Sequence, residues 1–288
     1  MAGNFIGIVF DGVAYGCLLF LISIGLSVTM GLMNFINLAH GAFAMLGGYV
    51  CVIGMTRLGM PFLGALAVAP FIGAFFGVVL ERLLYRRLYD STHLDQVLFT
   101  IGLTFMSVAA AAYFFGPSQQ PVQLPEFISG QVSVFGMQLG AYRLFLIAVV
   151  LVITVALHFL LERTRFGAQI RASVDNQVAA KGMGINVERV FSVTFALGSA
   201  LAALGGGLAI DMLGLDPNFP LKYMVYFLLV VAVGGAGTIR GPLLAAILLG
   251  VFDVAGKYYV PEVGSFVIYF IMVVTLVLFP NGLFGKRT

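Results

Sequence analysis

Polar side chains that can hydrogen-bond to a solute lie inside two of the most apolar stretches of this sequence. Six of them stand out: Asn34, Asn37, His40, Thr100, Thr104 and Ser107. The last three are spaced by four and three residues, which places them on one face of a helix. Inside a membrane, polar side chains are costly and typically mark a pathway for a solute or an ion. We therefore predict that these six residues line a polar path, whereas the plain alternative is that the asparagine amides satisfy neighbouring backbone groups.

Small residues surround the first polar group and recur elsewhere. Gly41, Ala44 and Gly48 share a helical face with the asparagines. The segment 191–210 carries two similar ridges: Gly198, Ala202 and Gly206, then Ser199, Ala203 and Gly207. Because small residues let two helices approach closely, we interpret these ridges as helix-packing seams.

Residues for other kinds of chemistry are missing from the sequence. The three histidines are scattered, and neither HExxH nor CxxC occurs. Cys17 and Cys51 lie in apolar runs, as buried core thiols do. The Gly-rich tail at 282–286 lacks the Ser or Thr that a phosphate loop needs after its lysine. We expect no catalytic residues, no metal ligands and no cofactor bound by this chain.

The composition excludes a water-soluble domain. Hydrophobic residues make up 61% of the chain, charged residues only 9%, and the mean hydropathy is +1.06. Soluble domains carry about 25% charged residues. The apolar residues form long runs without a period of two, which favours helices. We predict one all-α domain over residues 1–288, a polytopic transmembrane bundle of eight or nine spans with glycine-interrupted helices.

Apolar runs and basic residues together predict the topology. The runs fall near 5–30, 36–56, 61–80, 95–115, 143–161, 190–210, 223–236, 242–256 and 264–280. With the N-terminus outside, eleven of the fifteen Lys and Arg residues fall on the cytoplasmic side, in accord with the positive-inside rule. We expect a multi-pass protein of the bacterial inner membrane, with its C-terminus in the cytoplasm and its first run retained as a helix.

The longest charged segment, residues 162–190, falls on the cytoplasmic side in this topology. It holds five basic and three acidic residues between two apolar runs. We predict a short helix over 168–183, ended by Gly184. Its alanines would give it a flat side that can enter a groove on a partner, whereas the plain alternative is a solvated loop.

Two other connections leave alternatives open. The segment 116–142, on the outer side, contains three prolines and then a hairpin pattern around Gly136. It is either a tether or a docking surface for an external partner. The glycine-rich stretch 234–242 is either a tight cytoplasmic turn or a break buried within the bundle.

Several stretches give the chain a resemblance to a known family. They are MNFINLAHGAFAMLGGYV (33–50), ERLLYRRL (81–88), RTRFGAQIRASVDNQVAAKGMGINVERV (163–190), VGGAGTIRGPLLAAILLG (233–250) and FPNGLFG (279–285). In these stretches the chain resembles the membrane permeases of branched-chain amino acid ABC importers, LivH type.

The resemblance implies partners and a role for the charged loop. The partners are cytoplasmic ATPase subunits that bind ATP and Mg, a second LivM-like permease, an extracytoplasmic substrate-binding protein and the lipid bilayer, with no nucleic acid. The loop segment 175–185 would be the coupling helix seated in the ATPase. The coupling residues are then Arg171, Asp175, Ala179, Ala180, Gly184 and Ile185. The acid of the usual permease loop signature is replaced here by Val178.

Two functions compete at this point. The favoured one is a permease subunit that carries branched-chain or related hydrophobic amino acids, driven by partner ATPases. The alternative is a self-contained channel or facilitator for a small polar solute such as urea or an amide. A membrane enzyme would need a catalytic constellation that the sequence does not offer.

Overall fold

The protein is a bundle of apolar helices with one small hairpin. A computed structural model describes residues 2–33, 35–89, 91–122, 124–134, 137–280 and 282–284. The helices are α1 (Ala2–Met33), α2 (His40–Thr56), α3 (Phe62–Leu83), α4 (His93–Phe115), α5 (Glu126–Ser129), α6 (Ala141–Arg163), α7 (Arg165–Asp175), α8 (Gln177–Gly182), α9 (Val187–Leu213), α10 (Phe219–Gly234), α11 (Arg240–Tyr259) and α12 (Gly264–Leu278). A 3₁₀ turn covers Tyr85–Leu88, and strands β1 (Gln131–Val134) and β2 (Met137–Gly140) form the hairpin.

Each predicted apolar run becomes a helix, which confirms an all-α membrane protein. Within the described residues, six helices are long and apolar enough to cross a membrane: α1, α3, α4, α6, α9 and α11. Helices α2, α10 and α12 are apolar but shorter, with 17, 16 and 15 residues. The number of crossings, eight or nine, stays a prediction.

Helix α9 is the centre of the bundle, and three consecutive glycines explain how it packs. Gly205 faces Ile22 of α1, Gly206 faces the backbone of Ala44 in α2, and Gly207 lies beside Leu66 of α3. Three neighbouring helices therefore touch α9 at one level because no side chain intervenes. The small-residue ridges of α9 are a packing seam, as predicted.

A second seam joins α1 to α11, and the glycine-rich turn before α11 closes it. Gly12 and Gly16 of α1 lie against the backbone of α11. Helix α10 ends at Gly234 and α11 begins at Arg240, so the stretch between them is a turn. Its Gly237 adopts φ +80° and donates its N–H to the carbonyl oxygen of Ser27, at 3.1 Å.

The charged loop folds into two helices where one was predicted. Asn176 interrupts the expected helix, and its side-chain oxygen accepts the N–H of Ala179 at 2.9 Å to cap α8. Asparagine prefers this capping position over a helix interior, which explains the break. Gly184 ends α8 with φ +82°, as expected, and the N–H of Ile185 reaches the carbonyl oxygen of Ala180 at 3.0 Å.

The segment 116–142, which the predicted topology places on the outer side, contains the predicted hairpin. β1 and β2 pair antiparallel, with Gln131 opposite Gly140, while residues 135–136 at the tip lie outside the described residues. The segment is also tied to the bundle, because the N–H of Gln120 donates to the carbonyl oxygen of Leu215 at 2.8 Å.

The packing at α9 predicts that Gly206→Ala destabilises the bundle. A Cβ at this position would overlap the carbonyl oxygen of Ala44, and backbone on both sides cannot give way. Overpacking of this kind costs about 1–3 kcal/mol. The thermal unfolding temperature in detergent should therefore fall. Gly102→Ala in α4 is the matched control, since nothing lies within 4 Å of its added Cβ; equal temperatures for both variants would contradict the seam.

Candidate functional site

The segment 35–39, between α1 and α2, is non-helical and lies largely inside the bundle. Phe35, Asn37 and Ala39 are buried, whereas Asn34 lies outside the described residues. Nε2 of His40 donates to the carbonyl oxygen of Ile22 at 2.9 Å, which is about three turns before the end of α1. The segment 35–39 therefore runs back along α1 before α2 begins.

Helix α4 supplies the hydrogen bonds that this segment lacks. Oε1 of Gln96 accepts the N–H of Ile36 at 3.2 Å, and Oγ1 of Thr100 accepts the N–H of Leu38 at 3.2 Å. The Thr100 hydroxyl in turn donates to the carbonyl oxygen of Gln96 at 2.8 Å. Non-helical backbone at membrane depth persists only where protein or water satisfies it. The first turns of α4 satisfy it here.

Asn37 lies beside a cluster of aromatic rings formed by Phe35, Tyr85 and Tyr89. Its Oδ1 accepts the hydroxyl of Tyr85 at 3.1 Å, while its Nδ2 has no partner among the described residues. Phe35 meets Tyr85 edge-on, with 5.4 Å between the ring centroids, and Tyr89 at 5.8 Å. Burial raises the pKa of Tyr85, so its phenol stays a neutral donor.

An apolar chamber lies beside α2, between it and α3 and α4. Its volume is about 540 Å³, within the range of small-molecule sites. Polar groups on its wall are few. Ser107 donates its hydroxyl to the carbonyl oxygen of Thr104 at 2.7 Å, and the buried hydroxyl of Tyr49 has no partner in the part of the chain described. The chamber therefore suits an aliphatic group. Its lining includes Ala39, Phe43, Tyr49, Phe76, Leu103, Ser107, Phe114 and Phe115.

The predicted path residues thus divide into two groups. Asn37, His40, Thr100 and Thr104 are buried and bonded within the chain, and of the five that the structure describes only Ser107 is on the chamber wall. Thr104 donates only to its own helix, at the carbonyl oxygen of Thr100. The assignment of these residues to a path stays a prediction. Sequence reasoning missed Tyr49 and Tyr85, although Tyr49 lies in the same apolar stretch as Asn37 and His40.

The charged loop exposes apolar side chains to its surroundings. Val178 and Met183 are 81% and 72% exposed, on and just after α8. Ala180, by contrast, is buried against the bundle, so the alanines give no continuous flat outer side. Among the other predicted coupling residues, Ile185 is half-buried and four are exposed: Arg171, Asp175, Ala179 and Gly184.

Polar contacts join this loop's exit to the end of α3. The carboxylate of buried Glu81 accepts the hydroxyl of Ser192 in α9 at 2.6 Å and that of Tyr89 at 2.8 Å. Burial and the nearby Glu81 carboxylate raise the pKa of Tyr89, which therefore stays a donor. Arg86 pairs with Glu188 at the start of α9. The first turns of α9 are thus fastened to the chain that leads into α4.

The support that α4 gives to the segment 35–39 yields a prediction. Thr100→Val removes the acceptor of the Leu38 N–H and leaves it unpaired inside the bundle. Such a group costs about 1–3 kcal/mol, so the thermal unfolding temperature in detergent should fall. Thr104→Val is the matched control, because that hydroxyl bonds only within its own helix. The two variants unfolding at the same temperature would refute the supporting role.

Comparison with known proteins identifies the family. The family model described as "Branched-chain amino acid transport system / permease component" matches residues 8–276. The permease BraD of Pseudomonas aeruginosa and LivH of Escherichia coli K12, both named for high-affinity branched-chain amino acid transport systems, are each 27% identical over 96% of this chain and 94% of their own length. A probable LivH of Methanocaldococcus jannaschii is 27% identical over 95% of this chain and 90% of its own. No solved structure matches significantly. The chain belongs to the LivH-type permease family of branched-chain amino acid transport systems.

Proposed function

We propose that this chain is a membrane-spanning permease subunit of an ABC importer for branched-chain amino acids. With a LivM-like sister permease it forms the path, cytoplasmic ATPase subunits that bind ATP and Mg drive it, and an extracytoplasmic protein delivers the substrate. The observation that carries the proposal is the exposed apolar surface of α8 in the charged loop. A self-contained channel would have no use for such a surface.

The apolar chamber supports the choice of cargo. Leucine, isoleucine and valine need an apolar site for the side chain, and the chamber offers one of suitable size beside α2. The relatives' names refer to the same cargo. We propose that the predicted path residues, from Asn37 and His40 to Ser107, line the substrate path when the bundle opens.

The basic residues support the proposed orientation. Arg86 and the charged loop lie at the same end of the bundle, joined through Glu188. The positive-inside rule puts this end in the cytoplasm, together with the C-terminus. In a bacterium, the cell's inner membrane is then the site of action, and the outer hairpin faces the binding protein.

The direct test is ATP-driven uptake in proteoliposomes. The chain, its sister permease and the ATPases are reconstituted together, and labelled leucine is supplied with the binding protein. We expect accumulation that requires ATP and stops when this chain is left out. Leucine entry without ATP, or ATP-independent entry of urea, would instead favour the self-contained facilitator.

The role of α8 gives a separate prediction. Val178→Asp places a charge on the exposed apolar surface, so an apolar contact with an ATPase subunit would have to bury it. We expect the ATPase to dissociate during co-purification and uptake to be lost, while the chain remains folded. Val132→Asp in the outer hairpin is the control, being the same change at another exposed valine. Loss of the ATPase from both variants, or from neither, would reject α8 as the contact.

A further inference from the structure

A second cavity lies at the far end of α9 from the charged loop. It has a volume of about 530 Å³ and opens between the outer hairpin, the start of α6 and the last turn of α9. Unlike the chamber beside α2, it is lined by charged groups. Its wall consists of Leu124, Ile128, Ser129, Gly130, Gln131, Gly140, Tyr142, Arg143, Asp211 and Met212.

Two side chains of opposite charge, Arg143 and Asp211, face this cavity, and each keeps hydrogen-bonding groups that the protein itself does not occupy. Nη1 of Arg143 donates to Oδ1 of Asp11 at 2.6 Å, which leaves the other N–H groups of the guanidinium free to bind a ligand. The side chain of Asp211 makes no hydrogen bond or ion pair among the described residues, although it lies within electrostatic reach of Arg143. A smaller cavity of about 300 Å³ adjoins this one at Asp211, and its lining includes Gln119 and Gln120.

Part of the remaining wall is aliphatic, beside the polar residues Ser129 and Gln131. Ile128 is buried, and the hydroxyl of buried Tyr142 donates to the carbonyl oxygen of Leu208 in α9 at 2.6 Å. Leu124 and Met212 complete an aliphatic side next to the two charges. A cation, an anion and an aliphatic wall thus meet in one cavity.

We infer that this cavity binds the zwitterionic head and aliphatic side chain of an amino acid. The α-carboxylate meets the free N–H groups of Arg143, the α-ammonium meets Asp211, and the side chain lies against Leu124, Ile128 and Met212. A simple anion is disfavoured because the two carboxylates of Asp11 and Asp211 outweigh the single charge of Arg143. A simple cation could meet Asp211 but would leave the free N–H groups of Arg143 without an acceptor. An amino acid zwitterion supplies a carboxylate to Arg143 and an ammonium to Asp211 at the same time.

This inference rests on the proposed function and adds a first receiving site to it. Asp211 stands in the last turns of α9, the helix whose other end follows the charged loop. An occupied receiving site is therefore connected by one continuous helix to the segment that we propose contacts the ATPase.

The test measures binding of labelled leucine to the full chain in lipid nanodiscs, without ATPases. Competition by two analogues follows: leucinamide, which lacks the carboxylate, and N-acetyl-leucine, which lacks the ammonium. Each should compete about tenfold more weakly than leucine, the loss expected for one charged hydrogen bond. Equal competition by either analogue, or no leucine binding at all, would overturn the inference, and these measurements use the unsubstituted chain.

Substitutions then assign each charge to its residue. Asp211→Asn should weaken leucine about tenfold and leave N-acetyl-leucine unchanged, because only the ammonium contact is lost. Arg143→Gln should also weaken leucine binding but leave leucinamide binding unchanged, because only the carboxylate contact is lost. Glu126→Gln, which removes an exposed carboxylate of the same outer segment outside this cavity, is the control and should change nothing. Leucine affinity that is the same in Asp211→Asn and Glu126→Gln would reject the site. Failure here alongside ATP-driven leucine uptake would leave the proposed function intact.

Discussion

The absence of water in the bilayer is the constraint on which this structure depends. Every backbone N–H and C=O within the hydrocarbon must find a protein partner. Helices meet this demand by themselves, but the segment 35–39 does not. Gln96 and Thr100 of α4 accept its N–H groups, and Tyr85 bonds its Asn37 side chain. The non-helical segment between α1 and α2 is stable because polar residues of α4 lie at the positions where its backbone groups need partners.

The same constraint explains the density of glycine in α9. Helices in lipid gain little from burying apolar surface, since lipid tails are equally apolar, so close van der Waals contact must hold them together. Gly205, Gly206 and Gly207 give such contact to α1, α2 and α3 in turn. One helix of 27 residues, about 40 Å long, thereby becomes the common axis of the bundle.

This axis relates the sites at the two ends of the protein. At one end, Ser192 and Glu188 fasten α9 to Glu81 and Arg86. At the other end, Asp211 faces the cavity beside the hairpin. Helix α9 is continuous and packs against three helices, so under our proposal it carries a force on the charged loop to the cavity at Asp211.

The sequence by itself determined the class, the helices and the family. Long apolar runs have only one solution in a membrane, so the apolar helices and the packing ridges of α9 followed from pattern alone. Local chemistry also predicted the end of α8 at Gly184 and the hairpin strands. Only the tertiary structure decided what the polar residues do. Thr100 supports the backbone of Leu38, 62 residues away, and Arg143 bonds Asp11, 132 residues away. Such pairings depend on how helices are placed around α9, and no spacing within one helix encodes them.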